Sequence, residues 1–306
     1  MLKLVNRRGA AVDEEFLEYG PFFVAVLDLL GQRRAIARLE GFSTKDIEDQ
    51  SIGFMNALEL TFGAVLGVRE LFSEMTDVIL SYEQKFRMLS PAERAEVQRL
   101  VKPDIRLQAF ADTFVLHFSL AEGESLPVAA VRSVLLMCCE TMLISTSLGH
   151  PLRAGLQAGY GAKLSDSELY GPVSFRAHTL ESKCAKYPRI LVGDDLVAYL
   201  EREKKRNETP GLRMNLRRLM AEESLALFSI DDDGKHIVDY LGSSYKQMIA
   251  PKVPDEEIKD AWSFARRELA RYQQQRDEEL IPKYEYMVSY FRSRAQVWPD
   301  LIVENA

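Results

Sequence analysis

The chain has 306 residues, 47% apolar and 28% charged, the composition of an ordinary globular protein with one large domain or a domain plus an appendage. Its net charge of −7 leaves no basic face for a long nucleic acid polymer, whereas a single nucleotide needs only a few local cations and a metal. No run approaches the roughly 18 consecutive apolar residues of a membrane span, and Met1 to Arg8 lacks the apolar core of a secretion signal, so a cytoplasmic protein with no membrane partner is expected.

In chain order, the first predicted element is a strand over Phe22-Phe23-Val24-Ala25-Val26-Leu27-Asp28-Leu29-Leu30-Gly31, interrupted by one aspartate. Gln32 to Glu40 reads as a short helix closed by Gly41, and Thr44 to Leu89 carries an almost continuous helical pattern. Ser90-Pro91-Ala92-Glu93 opens a further helix with a serine cap, a proline in the first turn and an early glutamate. Asp104 to Leu120 reads as a β-hairpin with Asp112 at its turn. Leu126 to Leu148 is a strongly apolar helix, hence buried against the sheet. A strand from Leu152 to Gly161 follows, its glycines signalling close backbone approach.

Beyond it, a helix is predicted over Val173 to Ala185 and a strand over Arg189 to Val192, with Asp194 capping the next helix. A hairpin turns at Asp231-Asp232-Asp233-Gly234, and two charged amphipathic helices follow from about Pro254. Cys138, Cys139 and Cys184 show neither disulfide nor zinc spacing and read as core residues. Strand, helices, hairpin, helix, strand is the order of an α+β, ferredoxin-like split βαβ domain. That domain is expected over residues 1–245, with a long helical insertion at about 44–102 and a helical extension over 246–306.

Such an order places the end of the first strand beside the hairpin turn. Asp28 and Asp112 then converge. An ionised carboxylate among apolar residues costs several kcal/mol unless something pairs with it. Two of them at strand ends point to a divalent metal, and their oxygens favour Mg²⁺ or Mn²⁺. The bland readings are a helix-capping Asp28 and a turn-forming Asp112.

Four stretches resemble class III nucleotidyl cyclases, in the family's order. Leu27-Asp28-Leu29-Leu30-Gly31 is similar to the metal-binding strand, and Ala111-Asp112-Thr113 to the second metal hairpin. Pro151-Leu152-Arg153-Ala154-Gly155-Leu156-Gln157-Ala158-Gly159 resembles the family's "L-R-x-G-I-x-x-G". Tyr170-Gly171-Pro172, Ala177-His178-Thr179-Leu180-Glu181-Ser182 and Pro188-Arg189-Ile190-Leu191-Val192 resemble the last stretch. The resemblance implies two divalent ions held by Asp28, Asp112 and the Leu29 carbonyl, a homodimer, and attack of a ribose 3′-hydroxyl on the α-phosphorus with release of pyrophosphate.

The departures are equally informative. Gln108 stands where the family's base-contacting lysine falls, Pro172 where its carboxylate companion falls, and Phe175 and Thr179 where the transition-state asparagine and arginine fall. Purine reading is lost while the metal aspartates stay. The long insertion and the Tyr-Gly-Pro … Tyr-Pro-Arg-Ile segment look most like the bacterial Pycsar pyrimidine cyclases. The resemblance therefore implies a uridylate cyclase converting UTP to cyclic UMP, an antiphage signal read by a separate effector. A cytidylate cyclase acting on CTP, a purine cyclase with remodelled base contacts, and a catalytically dead nucleotide-binding module stay open.

For the base, Gln108 supplies amide groups; Phe175 either stacks on it or packs into the core, the commoner fate of a helical aromatic. Arg176 is the candidate to replace the missing transition-state cation, and Arg153 reads as a strand-supporting ion pair. Arg33 and Arg34 either reach phosphates or form a solvated helix face.

Overall fold

The computed structural model describes residues 18–30, 67, 89–101, 105–110, 112–165, 168–207, 209–249 and 255–303. The helix expected over Gln32 to Glu40, most of the insertion, and Arg33 and Arg34 lie outside the described residues.

The first strand, β1, runs over Glu18–Leu29. It alternates between two buried faces. Phe22, Val24 and Val26 meet one apolar cluster, while Phe23, Ala25, Leu27 and Leu29 enter the main core. A strand covered on both sides reads as a near-continuous apolar run. Helix α1, Pro91–Val101, opens with the predicted serine: the Glu93 amide donates to Ser90 Oγ at 3.3 Å, and the Ser90 amide to Glu93 Oε2 at 2.8 Å.

The predicted hairpin is present as β2, Arg106–Phe110, and β3, Thr113–Ser119. The apolar helix is α2, Pro127–Ser147. By length and composition it is apolar enough to cross a bilayer, with a mean hydropathy of 1.7 over 18 residues, although Arg132 and Glu140 interrupt the run. It is instead a core helix, 83% of that window being buried in the fold.

Strand β4 spans Leu152–Ser165, four residues beyond the expected end, and pairs with the short β5, Glu168–Tyr170. Helix α3, Pro172–Thr179, passes into a π-helical turn at Leu180–Cys184, so the single helix expected to Ala185 widens at its end. Then come β6, Ile190–Val192, and α4, Asp194–Lys205. Asp194 is not the cap expected: Gly193 holds that position with extended backbone, and Asp194 is the first helical residue. There its charge still favours the positive end of the helix dipole.

The chain continues through α5, Leu212–Ala226, then β7, Phe228–Ile230, and β8, His236–Val238. It ends in α6, Ser243–Ile249, and the two expected amphipathic helices α7, Asp255–Gln275, and α8, Ile281–Ser293. The sheet order is β2-β3-β1-β4-β6-β8-β7. Its first four strands are antiparallel to their neighbours, and β6 joins β4 in parallel. The fold is thus α+β with a mostly antiparallel sheet.

α2 packs under the sheet and against α5 and α7. Trp262 of α7, Phe291 of α8 and Trp298 share that same core. α3 covers the opposite face through Val173 and Ala177, one helical turn apart. Gly155 makes this close approach possible: a Cβ there would lie 2.3 Å from the Ala177 carbonyl oxygen and 2.6 Å from the Glu181 nitrogen. Gly171 enters α3 at φ +134°, a conformation L side chains rarely adopt.

Candidate metal and nucleotide site

Asp28 is the penultimate residue of β1, placed by register between Thr113 of β3 and Arg153 of β4. Directly opposed residues share a face of the sheet, so these three side chains form one polar row at the end of an apolar surface. Asp112 immediately precedes Thr113, and its carbonyl accepts the Leu29 amide at 3.2 Å. The two aspartates are therefore neighbours across the β1–β3 pair, and the residue following the first is tied to the backbone of the second. Burial raises the Asp28 pKa above the usual carboxylate range; Asp112 adds to the rise and Arg153 opposes it.

The Asp28 carboxylate is fully engaged. Thr113 Oγ1 donates to Oδ1 at 3.3 Å, while Arg153 Nε and Nη2 lie 3.2 and 3.0 Å from Oδ2. The ion pair expected of Arg153 is present, and Asp28 is one of its two partners. The other is Glu181 in the π-helical turn, 2% exposed, whose Oε1 sits 2.7 Å from Arg153 Nε. Glu181 Oε2 lies 3.4 Å from His178 Nδ1. Burial also raises the Glu181 pKa, with Arg153 opposing and Asp28 adding. Two carboxylates thus share one guanidinium, with Asp112 close to the first of them, so among the described residues carboxylates outnumber arginines here.

Thr113 and Glu181 were not among the expected site residues. Glu181 carried a signal, because it stands in the Leu180-Glu181-Ser182 stretch. Thr113 needed the β1–β3 register, which no local pattern supplies.

Gln108 of β2 lies opposite Val115, which lies opposite Val26. That row is parallel to Phe110–Thr113–Asp28 and two residues along the strands, about 7 Å away. Gln108 therefore shares the face that carries Asp28.

Phe175 does not pack into the core, as a helical aromatic was expected to do. Val173 and Ala177 face the sheet, so the residue midway between them points outward, and Phe175 is 69% exposed. Arg176 is not brought to Asp28; its Nη1 pairs with Asp195 Oδ2 of α4 at 2.6 Å on the surface. Thr179 Oγ1 donates to the Phe175 carbonyl of its own helix at 2.8 Å.

The donor set suits a hard divalent cation: two carboxylates and the Leu29 carbonyl, all oxygen. Among the described residues, no three His, Cys, Asp or Glu side chains form a ready-made metal cage. Two carboxylates with open positions fit an ion such as Mg²⁺, which keeps waters and takes substrate phosphates. No protein-family model matches the chain, and neither does any curated protein or solved structure.

Proposed function

We propose that the protein is a nucleotidyl cyclase that converts UTP to cyclic UMP and pyrophosphate. The observation that carries the reading is the meeting of Asp28 and Asp112, which are far apart in sequence, at one end of the β1–β3 pair. The strand order β2-β3-β1-β4 supports it, being that of a ferredoxin-like split βαβ unit. Fold alone does not specify chemistry, so the weight rests on the site.

In this reading the Asp28 and Asp112 carboxylates and the Leu29 carbonyl hold two Mg²⁺ or Mn²⁺ ions. Bound there, the ions lower the pKa of the ribose 3′-hydroxyl and offset charge on the triphosphate. Gln108 reads the pyrimidine edge from the same face of the sheet, its amide supplying both a donor and an acceptor. Phe175 offers its exposed ring to a base, and Arg176 gives up Asp195 for the α-phosphate. These last two roles belong to a homodimer in which α3 of one protomer faces the strand ends of its partner. The product acts in the cytoplasm as an antiphage signal read by a separate effector, as the resemblance to the Pycsar cyclases implies.

Purified protein with Mn²⁺ is expected to turn over UTP, and Asp28→Ala or Asp112→Ala to abolish turnover. Preference for CTP would make it a cytidylate cyclase, and preference for ATP or GTP a purine cyclase. Inactivity on all four nucleotides would overturn the enzyme reading. The pairing of Arg176 with Asp195 and of Thr179 with its own helix favours a second reading, a cyclase-like module that binds nucleotide without turnover. Calorimetric binding of UTP without pyrophosphate release would select it.

A further inference from the structure

Arg153 lies within reach of two carboxylates, part-buried Asp28 and buried Glu181, yet its Nε–H is aligned with only one. That hydrogen is directed at Asp28 Oδ2, with Nε 3.2 Å away. Glu181 Oε1 is closer, 2.7 Å from the same nitrogen, but outside the N–H direction, so this contact is an ion pair without an aligned hydrogen bond. A buried carboxylate oxygen without an aligned donor is costly and calls for a reason. The backbones on both sides are fixed. Arg153 is locked opposite Asp28 by the β1–β4 register, and the Glu181 backbone rests on Gly155 with no room for even a methyl group. The guanidinium is the one part of the triad able to choose.

We propose that Arg153 is a positioning residue that serves as a resident counter-cation, holding Asp28 while no metal is bound and passing its Nε hydrogen bond to Glu181 when a divalent ion takes Asp28. This rests on the reading of Asp28 as a metal ligand. The exchange needs only a small rotation of the guanidinium plane, since the new acceptor is already at contact distance. Glu181 lowers the cost of metal entry by accepting the cation that the metal displaces. In its absence Arg153 stays on Asp28 and competes with the incoming ion.

The mechanism makes the two partners of one ion pair act in opposite directions. A Mn²⁺ titration of the purified chain without nucleotide, followed by the electron paramagnetic resonance signal of free Mn²⁺, reads this directly. Glu181→Gln is expected to weaken Mn²⁺ binding about tenfold, and Arg153→Met to tighten it about tenfold, the scale at which groups behind metal ligands act. A purely structural ion pair would shift both variants the same way, and that result, or no shift in either, overturns the inference. Should Arg153→Met fail to fold, Arg153→Gln, which keeps N–H donors without the charge, carries the same expectation. Asp28→Asn separates the two levels. If wild-type binding does not depend on Asp28, the metal reading itself fails; if it does and the two variants move together, only the counter-cation role fails.

Discussion

Two arginines in this protein, one buried and one part-buried, bind pairs of carboxylates with opposite results. Arg217 of α5, 1% exposed, donates from Nη1 and Nη2 to Glu122 at 2.8 and 2.9 Å and also pairs with buried Glu203. Arg206 and Arg213 converge on the same Glu122. Burial alone would raise the Glu122 pKa, but Arg217 and its two companions outweigh it and bring the carboxyl down to about 2. Around Arg153 the balance is reversed, with Asp28 and Glu181 sharing one arginine and Asp112 beside Asp28, and the pKa values of Asp28 and Glu181 are raised. Residue type does not separate the two networks here. The local ratio of cations to carboxylates does.

The sharpest way to break that contrast is to remove each cation. Arg217→Met leaves the buried Glu203 only the longer contacts to Arg202 and Arg206, at 3.7 and 3.6 Å, and is expected to cost about 3 kcal/mol in chemical denaturation. Arg153→Met in metal-free protein is expected to cost about 1–2 kcal/mol, because carboxyls already biased toward protonation can neutralise. Equal losses would make the Arg153 network a second clamp. Next in size is Gly155→Ala, whose Cβ would press on the Ala177 carbonyl and the Glu181 nitrogen. It is expected to cost about 3 kcal/mol and to weaken Mn²⁺ binding by moving Glu181.

The pH dependence of thermal unfolding should divide the two networks by sign. Glu122, lowered from 4.5 to about 2, gives stability that is present above pH 4.5 and lost as pH falls toward 2. Glu181, raised above 4.5, favours the fold when protonated, so its contribution is lost as pH rises through that value. Glu122→Gln should therefore flatten the acid limb, while Glu181→Gln should stabilise the metal-free protein on the neutral side; the same sign for both would erase the distinction. Smallest is Phe175→Ala, expected within about 0.5 kcal/mol of wild type in stability because the ring is exposed. A raised KM for UTP with little change in kcat would place the ring against the base.

The backbone of this picture was legible where local patterns act alone. The apolar run of β1, the serine-opened α1, the hairpin at Asp112 and the apolar α2 each follow from periodicity and caps, and the first three suffice to bring Asp28 toward Asp112. What escaped depends on tertiary contacts. Thr113 joins the site only through cross-strand register, and Glu181 only because α3 widens into a π turn over Gly155. Helix α5 was not predicted: Arg213, Arg217, Arg218, Glu222 and Glu223 crowd it with charge, and its buried arginine makes sense only beside Glu203 and Glu122. Of the two readings of Phe175, packing fails because Val173 and Ala177 alone complete the contact with the sheet.

The place of β1 in the sheet has a consequence for how the chain can be made. It is an interior strand, yet it leaves the ribosome before either neighbour, and its Asp28 meets Arg153 only 125 residues later. Until β3 and then β4 are made, the stretch from Phe22 to Leu27 lacks its strand partners. Such distant pairing slows folding and leaves an adhesive segment open to other nascent chains. Production of the intact protein should therefore respond to slower translation, lower temperature or added chaperone, well before any choice of metal or nucleotide matters.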